Sequence, residues 1–178
     1  MEYRTLGRTG ITVSEIGFGA WGIGGMWGPK DDNLALKALH RALDLGVTFI
    51  DTALAYGEGH SERLIATVFR ERKDRVIVAT KIPPKDGRWP ASHRSPLSEA
   101  YPPSWIRECT EKSLGNLNTG CLDIQQFHVW SDTWLKDPDF PAWAEECTKL
   151  KKQGKVRHFG VSINDHEPDS ALEIASSG

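Results

Sequence analysis

Short apolar segments alternate with longer amphipathic segments along this chain, and that alternation limits the folds it can adopt. The apolar segments are predicted to be β-strands at residues 16–20, 47–51, 75–81, 123–129 and 156–163. Strands separated by helices of about ten or more residues are expected to be parallel, joined by right-handed crossovers and covered by helices. The sequence therefore predicts an α/β fold built on a parallel sheet.

The segments between the strands have the period of amphipathic helices. Their apolar positions are Leu36, Leu39 and Leu43; Leu64, Ile65, Val68 and Phe69; Ile106, Cys109, Ser113 and Leu117; and Trp143, Cys147 and Leu150. Ser61 and Ser104 are the predicted N-caps of the second and third helices, and residues 168–177 predict a fifth, weaker one. Two extended segments around Gly7 and Gly10 predict a β-hairpin ahead of the main fold. Alternation alone leaves open whether the sheet is doubly wound or part of a (β/α)8 barrel.

Charge and cysteine content exclude several classes of protein. The 22 basic and 24 acidic residues are spread along the chain without a basic stripe, so nucleic acid is not expected as a partner. The N-terminus is polar and no run approaches the ~18 apolar residues of a membrane span, so neither a secretory signal nor a membrane partner is expected. Cys109, Cys121 and Cys147 are odd in number and lack CxxC spacing, which argues against disulfides and a metal site. These features predict a cytoplasmic protein.

Two long aromatic loops follow the carboxyl ends of predicted strands, at residues 83–103 and 130–140. Loops of this length are usually functional or disordered, and α/β proteins place their sites at this end of the sheet. Trp21, Trp89 and Trp130 are predicted to wall an apolar substrate pocket there. Packing of the long loops onto the rim of the fold is an equally good explanation of these aromatic residues.

A glycine motif, GxGxxG at residues 17–22, lies at the end of the first predicted strand. The dinucleotide-binding fingerprint needs its third glycine in the opening turn of a helix, with an acidic residue about 20 positions further on. Here glycines continue beyond Gly22 before helical periodicity begins, and Asp51 lies too far along the chain. The favoured interpretation is that these glycines let a strand end and a loop pass close to a ligand or to neighbouring backbone.

Four residues with polar functional groups, Asp51, Tyr56, Lys81 and His128, lie at or just beyond the carboxyl ends of predicted strands. Reduction of a carbonyl by hydride needs an acid that protonates the developing alkoxide, and the Tyr56 phenol can be that acid. A neighbouring Lys81 ammonium is expected to lower the pKa of Tyr56, and Asp51 to keep the ammonium charged. His128 is expected to donate a hydrogen bond to the carbonyl oxygen.

Each of these four residues also has an ordinary structural explanation, as a turn cap, a loop tyrosine, a solvated lysine or a core histidine. Three consecutive strands that all end in an ionisable residue make those explanations less satisfactory when they are taken together. The sequence therefore predicts a proton-donating site.

The segments DTALAYG at 51–57, ATK at 79–81, QFH at 126–128 and GVSIN at 160–164 resemble, in order, motifs of the aldo-keto reductases. The resemblance covers essentially the whole chain. It implies a TIM barrel whose bottom is plugged by the hairpin, a catalytic tetrad formed by the four residues, and Tyr56 as general acid. It also implies reduction of a small-molecule carbonyl substrate with NADPH as cofactor, NADH being possible.

Cofactor contacts follow from the same resemblance. Ser162 and Asn164 match the serine and asparagine that hold the nicotinamide carboxamide, and Trp21 and Gly22 match a first-strand stretch near the nicotinamide ribose. Asp51 completes the expected set. A non-catalytic cofactor-binding or regulatory role, known within the family, is the alternative to reductase activity.

Chain length conflicts with a closed barrel. A (β/α)8 barrel typically needs ~250 residues, whereas this chain has 178 and shows five strand-helix units. We therefore expect a single domain over residues 1–178, an incomplete barrel of about five parallel βα units preceded by a hairpin, in which much of the cofactor grip is missing. The exposed strand edges predict self-association. An incomplete reductase is the favoured account; pairing with a completing chain, or rearrangement into an open flavodoxin-like sheet, are the others.

Overall fold

The computed structural model describes residues 1–25, 31–89, 95–163 and 168–177. It begins with an antiparallel hairpin of β1 (Tyr3–Thr5) and β2 (Thr12–Ser14). The main sheet contains β3 (Phe18–Gly19), β4 (Phe49–Asp51), β5 (Ile77–Ile82), β6 (Leu122–Phe127) and β7 (Val156–Val161). The α-helices are α1 (Asp32–Asp44), α2 (His60–Glu71), α3 (Leu97–Ala100), α4 (Pro103–Leu117), α5 (Phe140–Lys152) and α6 (Leu172–Ser176). Short 3-10 helices lie at Gly22–Gly24, Asp132–Lys136 and Pro168–Ala171.

The five strands of the main sheet are parallel and lie in the order β3-β4-β5-β6-β7. Each strand therefore pairs with the next one along the chain, as in a barrel. A flavodoxin-like or Rossmann sheet reverses its strand order at a switch point, and no such reversal occurs among the strands described here. The predicted α/β class, the five parallel βα units and the leading hairpin are confirmed, and the rearranged flavodoxin-like sheet is wrong.

Helix boundaries follow local chemistry. The Asp31 side chain caps α1 by accepting a hydrogen bond from the backbone N–H of Leu34 (3.0 Å). The predicted caps of the next two long helices are wrong: the N-cap positions of α2 and α4 are held by Gly59 and Pro102. Pro103 can open α4 because its missing N–H would have had no partner in the first helical turn.

The core lies between the sheet and its helices. Its fully buried residues include Leu39, Ile50, Ile65, Ile106, Leu122 and Leu150. All six residues of β5 are buried, as expected of a strand covered on both faces. Burial also raises the thiol pKa of Cys109 and Cys147 to about 12, so both behave as small apolar residues at neutral pH.

Aromatic side chains fill the core where β6 meets α5. Phe127, at the end of β6, packs within 4.7 Å of Trp143 and 4.9 Å of Tyr101, measured between ring centroids. Trp130 and Trp134 extend this cluster beneath the loop that follows β6. The loop is thereby anchored to the core close to the carboxyl edge of the sheet.

The sheet has two open edges among the described residues, because β3 and β7 each pair with one strand only. Beside β7 lies an apolar hollow of about 440 Å³ lined in part by Phe159, Val161 and Ile174. In the described part of the chain, no helix has the length and apolar character needed to cross a membrane.

Candidate active site

The carboxyl edge of the sheet brings together the four residues of the predicted site. Asp51 ends β4, Lys81 is the penultimate residue of β5, His128 directly follows β6, and Tyr56 lies in the loop between β4 and α2. Parallel strands end at the same edge of a sheet, so residues far apart in sequence become neighbours there.

Lys81 lies at the centre of this group. Its Nζ donates hydrogen bonds to a carboxylate oxygen of Asp51 and to the backbone carbonyl of Thr52, the latter at 2.9 Å. The same Nζ lies 5.3 Å from the centroid of the Tyr56 ring. Burial lowers the pKa of Lys81, and the Asp51 carboxylate opposes that shift. Asp51 thus supplies the negative charge that a buried ammonium requires.

Tyr56 is half-buried, and its pKa is raised, first by burial and then by the charge of Asp51. This direction is opposite to the one expected from the sequence, in which the ammonium lowers the pKa of the phenol. The reason is that burial disfavours the phenolate and the nearby Asp51 carboxylate repels its negative charge. Tyr56 therefore keeps its proton at neutral pH, which is the state that a proton donor needs.

His128 faces both Tyr56 and Trp89. Its ring centroid lies 5.5 Å from that of Tyr56 and 4.5 Å from that of Trp89, both in edge-to-face geometry. Burial, and then the charge of Lys81, lower the pKa of His128 to about 3. The imidazole is therefore neutral at neutral pH, with one nitrogen able to donate and the other able to accept a hydrogen bond.

The depressed pKa of His128 predicts a pH-dependent stability. Between pH 7 and pH 5 the unfolded chain binds a proton at this imidazole, with an ordinary pKa of about 6.5, whereas the folded chain does not. The free energy of unfolding should fall by about 2 kcal/mol through this residue alone. Between pH 7 and pH 5, the free energy of unfolding of His128→Gln should therefore fall by about that much less than that of the unsubstituted chain. Urea unfolding at the two pH values measures both falls. Equal losses in both proteins would contradict the prediction.

An open cavity of about 450 Å³ lies beside Tyr56 and His128 and is lined by these two residues with Trp21, Ala55 and Trp89. Two of the three predicted pocket aromatics are therefore at this cavity. Trp130 is not, because it is fully buried and its indole N–H donates to Asp132 (3.0 Å) while its ring packs into the core. A large apolar ring is more stable when it is buried beneath the loop than when it is exposed to solvent above it.

The glycine-rich turn packs against the backbone that carries Tyr56. A Cβ on Gly24 would lie 2.9 Å from the Cβ of Tyr56, and a Cβ on Gly57 would lie 2.1 Å from the carbonyl oxygen of Gly24. Gly57 also has φ +64°, a conformation that favours glycine. A three-residue 3-10 helix follows β3 and α1 begins only at Asp32, so the Rossmann interpretation is wrong. Close approach to neighbouring backbone is what these glycines permit.

Gly57→Ala should therefore destabilise the chain more than an alanine at a glycine that has only the unusual φ. Gly87 is the matched control, since its φ is +67° and a Cβ there would meet nothing within 4 Å. We expect about 1 kcal/mol of destabilisation for Gly87→Ala and about 2–4 kcal/mol for Gly57→Ala. Urea unfolding of the two variants measures the difference, and equal losses would argue against close packing at Gly57.

Comparison with known proteins identifies the family. The family model described as the aldo/keto reductase family matches residues 15–174. The chain belongs to the aldo-keto reductases. The family predicted from the four ordered motifs is thereby confirmed.

Similar proteins carry the same family name. The aldo-keto reductase YhdN of Bacillus subtilis (strain 168) is 38% identical over 165 residues, covering 91% of this chain and 47% of YhdN. The holo form of aldo-keto reductase AKR11C1 from Bacillus halodurans matches with a TM-score of 0.72 at 27% identity, covering 92% of this chain and 50% of that one. An aldo-keto reductase from Klebsiella pneumoniae in complex with NADPH matches with a TM-score of 0.65 at 30% identity, with the same coverage. The chain thus spans about half the length of these relatives.

Four of the five residues predicted to contact a nicotinamide cofactor lie in the described part of the chain. Gly22 follows β3 and borders open space, because no atom lies within 4 Å of the point a Cβ would occupy. Ser162 follows β7 at the same edge of the sheet, where it is half-buried and its backbone N–H donates to Phe127 (2.8 Å). Trp21 and Asp51 complete the predicted contacts among the described residues. Asn164 lies outside the described residues.

Gln126 is a polar residue beside Lys81 to which the sequence motifs assigned no role. It pairs in register with Lys81 on one side and Gly160 on the other, so its side chain points to the same face of the sheet as Lys81. Its Oε1 is buried without a hydrogen-bond partner in the described part of the chain, and it is an acceptor suited to an amide N–H. The signal available in the sequence was a polar residue within a segment predicted to be a strand.

Proposed function

We propose that this aldo-keto reductase chain carries the proton-donating site of an oxidoreductase that reduces aldehyde or ketone carbonyls with NADPH, NADH being possible. The observation that carries the proposal is the contact of Lys81 Nζ with Asp51 and Thr52, beside the Tyr56 ring. Further support comes from the family and from the similarity to the Klebsiella pneumoniae reductase in complex with NADPH.

In this proposal each side chain has a separate role at the carbonyl oxygen. Bound NADPH supplies the hydride. Tyr56 gives its phenolic proton to the oxygen as negative charge develops there, and the neutral imidazole of His128 donates a hydrogen bond to the same oxygen. Lys81 stabilises the phenolate that remains, while Asp51 and the Thr52 carbonyl hold the ammonium in place. Trp21 and Trp89 wall the apolar side of the pocket, which suits a small carbonyl compound with an apolar substituent.

Tyr56→Phe removes the proposed acid and keeps the ring. Carbonyl-dependent NADPH oxidation should fall by about 100-fold or more, since a positioned general acid contributes about 10²–10⁴-fold. Tyr3→Phe is the matched control: its hydroxyl donates to Gly46 in the hairpin region (3.0 Å), away from the pocket. Absorbance at 340 nm with a panel of small aldehydes measures both variants. Unchanged turnover in Tyr56→Phe would show that another group donates the proton.

A non-catalytic cofactor-binding or regulatory role is the second candidate. The observation that favours it is that the chain covers only about half the length of the relatives it matches. Two measurements separate the candidates: titration of the chain with NADPH, followed by fluorescence, and turnover of the aldehyde panel. Binding without turnover supports the second role, and binding with turnover supports the first.

We also propose that the chain associates with itself through the open edges of β3 and β7, where backbone groups lack a neighbouring strand in the described residues. Sedimentation velocity over a tenfold range of protein concentration should show species larger than the 19.8 kDa monomer that grow with concentration. A monomer across the whole range would contradict this proposal. A reducing, cytoplasmic location stays a prediction from the cysteine pattern.

A further inference from the structure

Two buried polar side chains, Ser61 and Glu62, open helix α2 and have no place in the reaction described above. Both are fully buried. Ser61 was predicted as a helix cap, but the N-cap position belongs to Gly59, so its hydroxyl is available for other contacts. Glu62 occupies the third helical position, where a glutamate often turns back to bind the N-cap backbone. Here it reaches across to other elements instead.

Ser61 connects helix α2 to the ends of two strands. Its Oγ accepts a hydrogen bond from the Thr52 hydroxyl and donates one to the carbonyl oxygen of Ala20, both at 2.9 Å. Ala20 directly follows β3, and Thr52 directly follows β4. The backbone N–H of Ala20 also donates to the carbonyl of Asp51 (2.8 Å). A single hydroxyl thus joins α2 to the carboxyl ends of β3 and β4.

Glu62 makes the same kind of connection to β5 and α4. One carboxylate oxygen accepts from the Thr80 hydroxyl at 2.6 Å, and the other accepts from the side-chain amide of Asn116 at 2.8 Å. Both donors are neutral. Burying a carboxylate against neutral donors costs free energy, so the stability of the chain alone gives no reason for a charged residue here.

Each of the three residues that this pair binds at the carboxyl edge of the sheet is the chain neighbour of a residue predicted for the site. Ala20 precedes Trp21, Thr52 follows Asp51, and Thr80 precedes Lys81. Successive side chains of a strand point to opposite faces, so Thr80 meets the helices while Lys81 faces the opposite side. Fixing Thr80 against α2 therefore fixes the position and direction from which the Lys81 side chain starts.

We propose that Ser61 and Glu62 are positioning residues, which hold the ends of β3, β4 and β5 in the arrangement that places Lys81 Nζ between Asp51 and Tyr56. The role in turnover rests on the proposed reductase function. The arrangement itself does not, because it is visible in the free chain through groups that sense Lys81. His128 is such a group, since the charge of Lys81 contributes to its lowered pKa.

The experiment exchanges the hydrogen-bond donor and acceptor in the contact between Asn116 and Glu62. Glu62→Gln removes one of the two carboxylate oxygens, so the side chain can no longer accept from Thr80 and from Asn116 through separate oxygens, and Asn116→Asp opposes two carboxylates; each single variant therefore weakens the contact. The double variant restores it, because the introduced glutamine amide donates to the introduced aspartate carboxylate. Glu71→Gln, the same chemical change at the exposed end of α2, is the matched control. Stability to urea, the NMR titration of the His128 imidazole, and kcat for carbonyl-dependent NADPH oxidation are measured for each variant.

We expect Glu62→Gln to raise the pKa of His128 towards its ordinary value and to lower kcat by about 10- to 100-fold, with NADPH binding unchanged. The double variant should recover both properties, and Glu71→Gln should change neither. If the single variants lose stability while the His128 titration and kcat stay as in the unsubstituted chain, the pair is only structural and the proposal is overturned. Failure of the double variant to recover would also overturn it.

Two further outcomes have their own measurements: an unsubstituted chain without turnover, and a Glu62→Gln variant that does not fold. If the unsubstituted chain does not turn over carbonyl compounds, the proposed reductase function fails, and the His128 titration alone decides the positioning role. If Glu62→Gln does not fold, Thr80→Val removes one hydroxyl at nearly constant volume and Thr80→Ser restores it. The valine variant should move the His128 titration in the same direction, and the serine variant should reverse it. No change with valine would overturn the proposal.

Discussion

The buried ammonium of Lys81 is the constraint on which the rest of this site depends. A charge that is removed from water needs a counter-charge and hydrogen-bond acceptors close by, and Asp51 with the carbonyl of Thr52 supplies them. Both come from the end of the neighbouring strand. The site therefore depends on the register of β4 and β5, which pairs Asp51 with Ala79, two residues before Lys81.

Burial shifts the pKa of Tyr56, Lys81 and His128. It keeps the imidazole of His128 neutral and the phenol of Tyr56 protonated, and Asp51 opposes the loss of charge at Lys81. The result is a neutral imidazole, a protonated phenol and a lysine held against a carboxylate at one edge of the sheet. Those three properties match what a carbonyl oxygen needs when it becomes an alkoxide.

Buried aromatic side chains and closely packed glycines hold the carboxyl edge of the sheet in place. Phe127 and the tryptophans of the loop after β6 form an aromatic core that anchors the strand leading to His128. Glycines bring the turn after β3 into contact with the backbone of Tyr56. The chain spans about half the length of the relatives it matches, yet the carboxyl ends of three consecutive strands, β4, β5 and β6, assemble the four residues.

The sequence by itself determined the α/β class and the family, because periodicity and the residues at strand ends are local properties of a chain. Tertiary structure decided what depends on burial and on contacts between distant elements. It placed Trp130 in the core, directed Ser61 and Glu62 to strand ends and turned Gln126 inward. It also raised the pKa of Tyr56, where the motif had suggested the opposite, because burial of the phenol and its approach to the Asp51 carboxylate exist only once the chain is folded.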